Sequence, residues 1–230
     1  MAEKEIKKAA DPFCFYTRLH LSELTGLKAS NLPELLGLIK EAPDSAIYHH
    51  THRFLLQHQY LSPEPPNDFA YWVTSALGDD RLGEKLASID TTKYLTIHDL
   101  REKIIATIEA HLKAYPSSVK RFTSENEVFY LIKCVSFIMP TVYVANDLKE
   151  FVEILKKITI DSIYFHMFEA RLRLERKSND FSLWIEGSIG DKDLADKILK
   201  LDPYTFTLED LRKTLIQMVT KKIGKNHGQA

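Results

Sequence analysis

Self-similarity between the two halves of the chain constrains its fold more than any other feature. A register that sets Phe13 on Phe129 aligns many identical residues, with short gaps at positions that resemble loops. Two further strings match in this alignment: Ile47-Tyr48-x-His50 with Ile163-Tyr164-x-His166, and Asn67-Asp68-Phe69-x-x-Trp72 with Asn179-Asp180-Phe181-x-x-Trp184. The pattern predicts a tandem duplication of a helical module of about 100 residues, in a pseudo-two-fold arrangement.

The duplication divides the chain into five predicted segments. They are an N-terminal tail (1–12), a first copy (13–115), a linker (116–128), a second copy (129–223) and a C-terminal tail (224–230). The linker is polar and short, so we expect the copies to pack as one compact body.

Helix signals dominate each copy. Asn31, Asn67 and Thr96 precede apolar residues at helical spacing and are typical N-caps, and the proline-rich stretch 61–66 is predicted to be a loop. The start of each copy, 13–21 and 129–137, has aromatic and β-branched residues at close spacing, which favours short β-strands that could pair with each other. We therefore predict a mainly α fold.

The charge and cysteine content narrow the function classes. The chain has 31 Lys and Arg residues against 32 Asp and Glu residues, and its formal net charge is −1. Because nucleic-acid-binding proteins usually carry a basic excess on one face, we expect no nucleic-acid partner. With two cysteines and no cleavable signal peptide, the cytoplasm is the expected location.

One stretch resembles a membrane span in a hydropathy scan. Residues 128–145 are nearly all apolar, but Lys133 and Pro140 interrupt them. The stretch is also rich in β-branched and aromatic residues, which favours buried strand or extended chain. We therefore predict that the chain has no membrane partner.

The histidine-rich stretch 47–53 is the first candidate site. His49 and His52 lie three residues apart and share a helix face, a spacing that can place two imidazoles on one metal ion. The second half has Phe165 and Phe168 at these positions, so we expect both slots to be partly buried, with hydrogen bonds as the alternative to a metal. No HExxH motif is present, and the sequence does not identify a cofactor.

Residues that match between the halves are predicted to serve the scaffold. Equivalent histidines suggest a buried hydrogen bond, Asn-Asp pairs suggest helix capping, and tryptophans suggest core anchors. The residues concerned are His50, Asn67, Asp68, Trp72, His166, Asn179, Asp180 and Trp184.

Residues that differ between the halves are the candidates for binding. In the first half they are Tyr48, His49, His52 and Arg53, and in the second half Glu169, Arg171 and Arg173. Alternating charges at helical spacing are typical of a solvated, salt-bridged face. If the second set lined a cleft, its arginines could instead bind a phosphate or a carboxylate.

Several strings resemble an uncharacterised bacterial and archaeal family that carries a domain-of-unknown-function label. They are Ile47-Tyr-His-His-Thr-His-Arg-Phe, Leu61-Ser-Pro-Glu-Pro-Pro-Asn-Asp-Phe-Ala-Tyr-Trp, Leu82-Gly-Glu-Lys-Leu-Ala-Ser-Ile-Asp and Tyr164-Phe-His-Met-Phe-Glu-Ala-Arg-Leu. Members of this family often lie beside, or are fused to, sugar-nucleotide glycosyltransferases of the trehalose type. The resemblance implies a supporting role in carbohydrate metabolism and no assigned catalytic residues.

Two functions follow from the sequence as hypotheses. The first is a soluble, non-catalytic binding or interaction module that uses the groove between the copies, with a glycosyltransferase or a small polar ligand as its partner. The alternative is an enzyme with a histidine-rich, metal-assisted site in that cleft. Neither a Gly-rich phosphate loop nor a GxSxG nucleophile is present, so the reaction is left open.

Overall fold

The computed structural model describes residues 7–53, 67–175, 177–201 and 207–228. The predicted proline-rich loop at 61–66 lies outside these ranges. The first half contains β1 (Lys8–Ala29), α1 (Leu32–Glu41), α2 (Asp44–Tyr48), α3 (Asp68–Ser75), α4 (Asp80–Ala87) and α5 (Ile97–Ala114). The second half contains β2 (Phe129–Asp147), α6 (Leu148–Leu155), α7 (Ile160–Tyr164), α8 (Ala170–Leu174), α9 (Asp180–Trp184), α10 (Lys192–Leu199) and α11 (Leu208–Gly228).

Short helical turns of other types extend or join these helices. The π-helical turns are His49–Arg53, Phe165–Glu169 and Ile185–Ile189, and each directly follows an α-helix. The 3-10 turns are Thr91–Lys93, Pro116–Lys120 and Glu125–Glu127. π-helical turns are rare and lie frequently at functional sites. The first two lie within the histidine-rich stretch and its counterpart in the second half.

Side-chain caps decide where several helices begin. The Asn31 side chain accepts a hydrogen bond from the backbone N–H of Glu34 (2.9 Å), and Thr96 accepts one from Asp99 (3.0 Å). Asn67 accepts one from Ala70 at 2.9 Å. These bonds satisfy N–H groups that the first helical turn leaves without partners.

The predicted fold class is wrong. The structure has 61% helix and 21% strand, so it is an α/β mixture and not a mainly α fold. β1 and β2 are 22 and 19 residues long and pair as an antiparallel, two-stranded sheet. Side chains bridge the strands in register: Thr25 Oγ1 donates to the Leu131 carbonyl, and Thr141 Oγ1 donates to the Phe15 carbonyl.

The compact units of the structure are not the predicted copies. The continuous unit comprises the described part of residues 20–136, and the discontinuous unit comprises the described part of 7–19 and 137–228. β1 passes from the discontinuous into the continuous unit after Leu19, and β2 passes the other way after Ser136. Since each unit takes half of both strands, no tandem duplicated repeat is evident.

Burial of strand residues explains this exchange. Phe13 and Phe15 at the start of β1 are buried in the discontinuous unit, and Phe129 and Leu131 at the start of β2 are buried in the continuous unit. Burying one such side chain contributes roughly 1.5–3 kcal/mol. Each strand start is therefore held by helices that lie far from it in the sequence.

Each unit has its own apolar core. The continuous unit packs helix residues such as Leu35, Phe69, Leu82 and Leu100 around Phe129. The core of the discontinuous unit is strongly aromatic. Its ring contacts include Phe13 with Phe181 (5.3 Å between centroids), Phe151 with Phe181 (5.1 Å) and Phe151 with Trp184 (5.2 Å).

A helix needs about 20 predominantly apolar residues to span a lipid bilayer. Within the described ranges, none combines the length and the apolar character needed to span one.

Candidate functional site

A pocket in the discontinuous unit is formed by β1, β2, the π-helical turn 165–169, α8 and α9. Its volume is about 470 Å³, which lies within the range of small-molecule sites. Polar lining residues are Cys14, Tyr16, His166, Arg173 and Asp180, and apolar ones are Pro12, Phe13, Ile138, Phe165, Leu183 and Trp184. The pocket thus combines aromatic walls with a small charged group.

His166 lines this pocket and forms hydrogen bonds through both ring nitrogens. Its Nε2 accepts a hydrogen bond from the backbone N–H of Tyr16 at 2.8 Å, and its Nδ1 lies 2.7 Å from Asp180 Oδ2. Because Nε2 accepts, the ring proton must be on Nδ1, and His166 donates it to the carboxylate. Burial lowers the pKa of His166, which favours this neutral form.

Asp180 is shared by two donors. Its Oδ2 also accepts a hydrogen bond from the Arg173 guanidinium at 2.6 Å. The described residues place no hydrogen-bond donor on Oδ1 of Asp180, so this oxygen can accept one from a ligand. The guanidinium lies 4.8 Å from the ring centroid of Phe165, which holds it against the aromatic wall.

Trp184 forms an apolar wall of the pocket. Its indole N–H donates to the backbone carbonyl of Asp11 at 2.8 Å. The polar edge of the ring is therefore occupied, and the ring is 5.5 Å from that of Phe13. Cys14 lies at the same pocket and is exposed, so a reagent can reach its thiol.

Local sequence explains how the charged group is positioned. Asn179 caps α9 in a capping box with Ser182, which sets Asp180 in the first helical turn. A carboxylate is favoured there by the helix dipole. The π-helical turn that precedes α8 carries Phe165 and His166 toward the same pocket.

A family model described as a family of unknown function, DUF5752, matches residues 10–220. The chain belongs to this family. The predicted membership in a family of unknown function is thereby confirmed.

One solved structure with a closely similar fold is described as "The structure of OrfY from Thermoproteus tenax". It shares 27% sequence identity with this chain at a TM-score of 0.78, and the match covers 94% of this chain and 98% of OrfY. No curated protein matches the chain. The DUF5752 fold is thus shared over nearly the full length of both proteins.

The histidine-rich candidate residues lie in the continuous unit and are buried. His49 Nδ1 lies 3.3 Å from Cys134 Sγ, and His52 Nδ1 lies 3.0 Å from Thr51 Oγ1. Burial lowers the pKa of His49 and of His52 to about 4. Both imidazoles are therefore neutral at pH 7 and are packed among other side chains.

Tyr48 belongs to the same cluster. Its ring is stacked between those of His20 and His52, at centroid distances of 5.4 and 5.6 Å, and its hydroxyl lies 3.3 Å from His20 Nε2. Arg53 is partly buried, and its Nε has no hydrogen-bond partner among the described residues.

His49 and His52 were also the weak metal candidates. Within the described residues, the structure brings together no group of three or more His, Cys, Asp or Glu side chains that could hold a metal ion. The described part of the continuous unit thus supplies these two histidines with hydrogen-bonding and stacking neighbours and not with a complete ligand set.

Two of the charged candidates in the second half lie away from the pocket. Glu169 is buried and forms an ion pair with Arg18 at 2.8 Å, and Arg171 donates to the Leu199 carbonyl at 3.0 Å. Arg173 is the member of the seven candidate binding residues that lines the pocket. A buried Glu169 also differs from the solvated face that alternating charges indicate.

His50 in the continuous unit makes the same two types of contact as His166. Its Nδ1 lies 2.5 Å from Asp68 Oδ2, and its Nε2 accepts the backbone N–H of Ile132 at 3.0 Å. Trp72 donates its indole N–H to the Glu127 carbonyl at 2.7 Å. These side chains connect helices to the strand or segment that packs on them.

His166, Asp180 and Trp184 were predicted to serve only the scaffold, but all three also line the pocket. Cys14 and Tyr16 were not predicted as site residues, and Phe165 was considered only as the counterpart of His49. A pairing of Phe13–Tyr16 with the second half could have revealed them, but the tandem alignment placed that segment with the first half.

Proposed function

We propose that the chain is a non-catalytic binding module whose pocket in the discontinuous unit holds a small carbohydrate. The observation that carries the proposal is the placement of the Arg173–Asp180 pair among aromatic rings in a pocket of about 470 Å³. A carbohydrate presents hydroxyl groups that charged side chains can hydrogen-bond and C–H faces that pack on aromatic rings. Both the charged and the aromatic lining residues can therefore contact it.

Hydrogen-bonding capacity supports a hydroxylated ligand. Arg173 presents several N–H donors in a fixed plane, of which one is used on Asp180. Asp180 Oδ1, which has no donor among the described residues, can accept a hydrogen bond from a ligand hydroxyl group. Neighbouring donors and acceptors of this kind suit adjacent hydroxyl groups of a sugar ring.

Occupied groups favour binding over catalysis. His166 has one nitrogen protonated and the other accepting a backbone N–H, so it can take up a proton only by losing the Tyr16 hydrogen bond. Both His166 and Arg173 donate hydrogen bonds to Asp180, and arginine does not act as a base at pH 7. His166, Asp180 and Arg173 therefore supply no readily available proton-transfer group.

The resemblance to proteins associated with glycosyltransferases supports carbohydrate as the ligand class. We include in the proposal a supporting role beside a trehalose-type glycosyltransferase in the cytoplasm. The two free cysteines suit that reducing compartment.

A titration of the full chain with trehalose, glucose and the unrelated polyol sorbitol tests the ligand class. We expect saturable binding of one of the two sugars, measured by calorimetry, with a Kd of roughly 1 mM or tighter. The same sugar should slow modification of the exposed Cys14 thiol by an aromatic disulfide reagent. If neither sugar binds and neither protects Cys14, the carbohydrate proposal is wrong.

A matched pair of variants locates the site. Asp180→Asn and Asp68→Asn each remove a carboxylate that contacts a buried histidine, but Asp180 alone of the two lines the pocket. We expect Asp180→Asn to weaken sugar binding about tenfold, a loss of about 1.4 kcal/mol, and Asp68→Asn to leave it unchanged. Equal effects would place the ligand elsewhere.

The partner is tested separately. We expect the chain to co-purify with a purified trehalose-type glycosyltransferase when the two are mixed at equal concentration. Absence of a complex at concentrations of roughly 10 μM would exclude all but weak association, and would leave the sugar-binding proposal to its own test.

A further inference from the structure

The continuous unit contains a second groove, of about 540 Å³, that neither the family description nor the proposed function uses. It is formed by the end of α4, the 3-10 turn Thr91–Lys93 and the middle of α5. The groove belongs to one unit and is built from residues close to one another in the sequence.

Its charge differs from that of the chain as a whole. Lys85, Lys93 and Lys103 line the groove, and Asp90 is the carboxylate among the groove residues that the structure describes. Lys93 Nζ lies 3.6 Å from Asp90 Oδ2. Three ammonium groups against one carboxylate make the groove basic, whereas the chain has a formal net charge of −1.

Lys85 and Lys103 differ from Lys93 in their surroundings. Within the described residues, no carboxylate lies within ion-pair distance of Lys85 or Lys103. Lys85 Nζ lies 5.5 Å from the ring centroid of Tyr115, a contact that holds the ammonium without neutralising it. Lys85 is in the last turn of α4, where the helix dipole favours a cation. Lys103 lies inside α5, so the helix dipole does not explain a positive charge at that position.

The uncharged side chains of the groove favour a ligand that carries hydroxyl groups. Ser88 Oγ donates to the Lys85 carbonyl at 2.8 Å, and Thr107 Oγ1 donates to the Lys103 carbonyl at 2.7 Å. Their hydroxyl protons are used, so both oxygens are acceptors for a ligand. Ile89 adds a buried apolar surface beside them.

We propose that this groove binds a small phosphate monoester that carries free hydroxyl groups. The positive charges of Lys85, Lys93 and Lys103 attract the phosphate group, and the Ser88 and Thr107 oxygens accept hydrogen bonds from the ligand's hydroxyl groups. The volume suits one small molecule. A nucleic acid would instead require a basic surface that continues beyond the groove.

The test is an amide NMR titration of the full chain at constant ionic strength. The probes are glycerol 1-phosphate, inorganic phosphate, inorganic sulfate and glycerol. We expect glycerol 1-phosphate to give saturable shifts of amides in 85–94 and 103–110, and to bind at least about threefold more tightly than inorganic phosphate or sulfate. Glycerol should give no saturable shifts.

Lysine variants on one helix supply the control. Lys103→Ala should weaken glycerol 1-phosphate binding about fivefold, equivalent to about 1 kcal/mol. Lys113→Ala, which removes another exposed lysine of α5 outside the groove, should change it less than about twofold.

Three results would overturn the proposal. One is equal weakening by the Lys103 and Lys113 variants, which indicates general charge attraction. The second is equal affinity for sulfate and glycerol 1-phosphate, which indicates non-selective ion binding. The third is binding of a single-stranded oligonucleotide to these amides without binding of the phosphate monoester. Binding in the discontinuous unit is read from different amides, so the two proposals succeed or fail independently.

Discussion

Both units use a buried histidine to join a helix to a strand, and they differ in what surrounds it. His166 and His50 each contact an aspartate through Nδ1 and accept a strand N–H at Nε2. In the discontinuous unit Arg173 binds the same aspartate, Asp180, beside an open pocket. Asp68 in the continuous unit has no arginine partner among the described residues. The two units thus share the contact and differ in its surroundings.

A second difference lies on the neighbouring helical positions. The continuous unit has His49 and His52 where the discontinuous unit has Phe165 and Phe168, and all four are buried. The imidazoles have pKa values of about 4 and are neutral at pH 7. The two pairs of positions therefore share burial. Histidine can be protonated and phenylalanine cannot, so only the histidine pair makes stability depend on pH.

The largest expected effect comes from the two strand phenylalanines. Phe13→Ala should destabilise the discontinuous unit and Phe129→Ala the continuous unit, each by about 4 kcal/mol, because each ring is packed in a dense core. Urea unfolding measures the loss, and amide hydrogen exchange shows which unit opens. Val142→Ala in the exposed part of β2 is the control. If both substitutions opened the same unit, the division of the strands would be incorrect.

Removing either histidine should have the next largest effect. His166→Ala and His50→Ala each leave an aspartate and a strand N–H without a buried partner, which should cost about 3 kcal/mol. His98→Ala, at an exposed position, should be nearly neutral. Loss of stability for one histidine and not for the other would show that the two contacts are not equivalent.

Acid should weaken the continuous unit through His49 and His52. Their pKa is about 4 in the folded chain and near 6.5 when unfolded, so the unfolded state binds protons first as the pH falls. Stability should fall progressively from about pH 6.5 toward pH 4, by roughly 1 kcal/mol per histidine at pH 5.5. Urea midpoints at several pH values measure this loss.

A double variant sharpens the same comparison. His49→Phe with His52→Phe copies the residues of the discontinuous unit, and it should flatten the decline in stability between pH 7 and 5.5. An unchanged slope would assign the acid sensitivity to other groups.

The smallest effect on stability is expected for Arg173→Ala. The Arg173 side chain is 40% exposed in its ion pair with Asp180, and such pairs contribute at most about 1 kcal/mol. We therefore expect a change in unfolding free energy below about 1 kcal/mol together with weaker sugar binding. A large loss of stability would make this arginine a structural residue.

Local features of the fold could be read from the sequence, because their causes lie within a few residues. Asn31, Asn67 and Thr96 each bond to the N–H three residues further on, and such caps have recognisable residue types. The exact matches between the halves also drew attention to His50 and His166, whose contacts proved to be of the same kind.

The exchange of strand halves, and with it the pocket, was decided only by tertiary structure. Tyr16 and His166 are 150 positions apart, and no local pattern indicates which set of helices a strand will pack against. The self-similarity favoured two separate copies, but burial of Phe13 and Phe129 in distant helices determined the actual units. Helix caps are satisfied locally, whereas apolar burial is non-directional and can be satisfied by any part of the chain that fits.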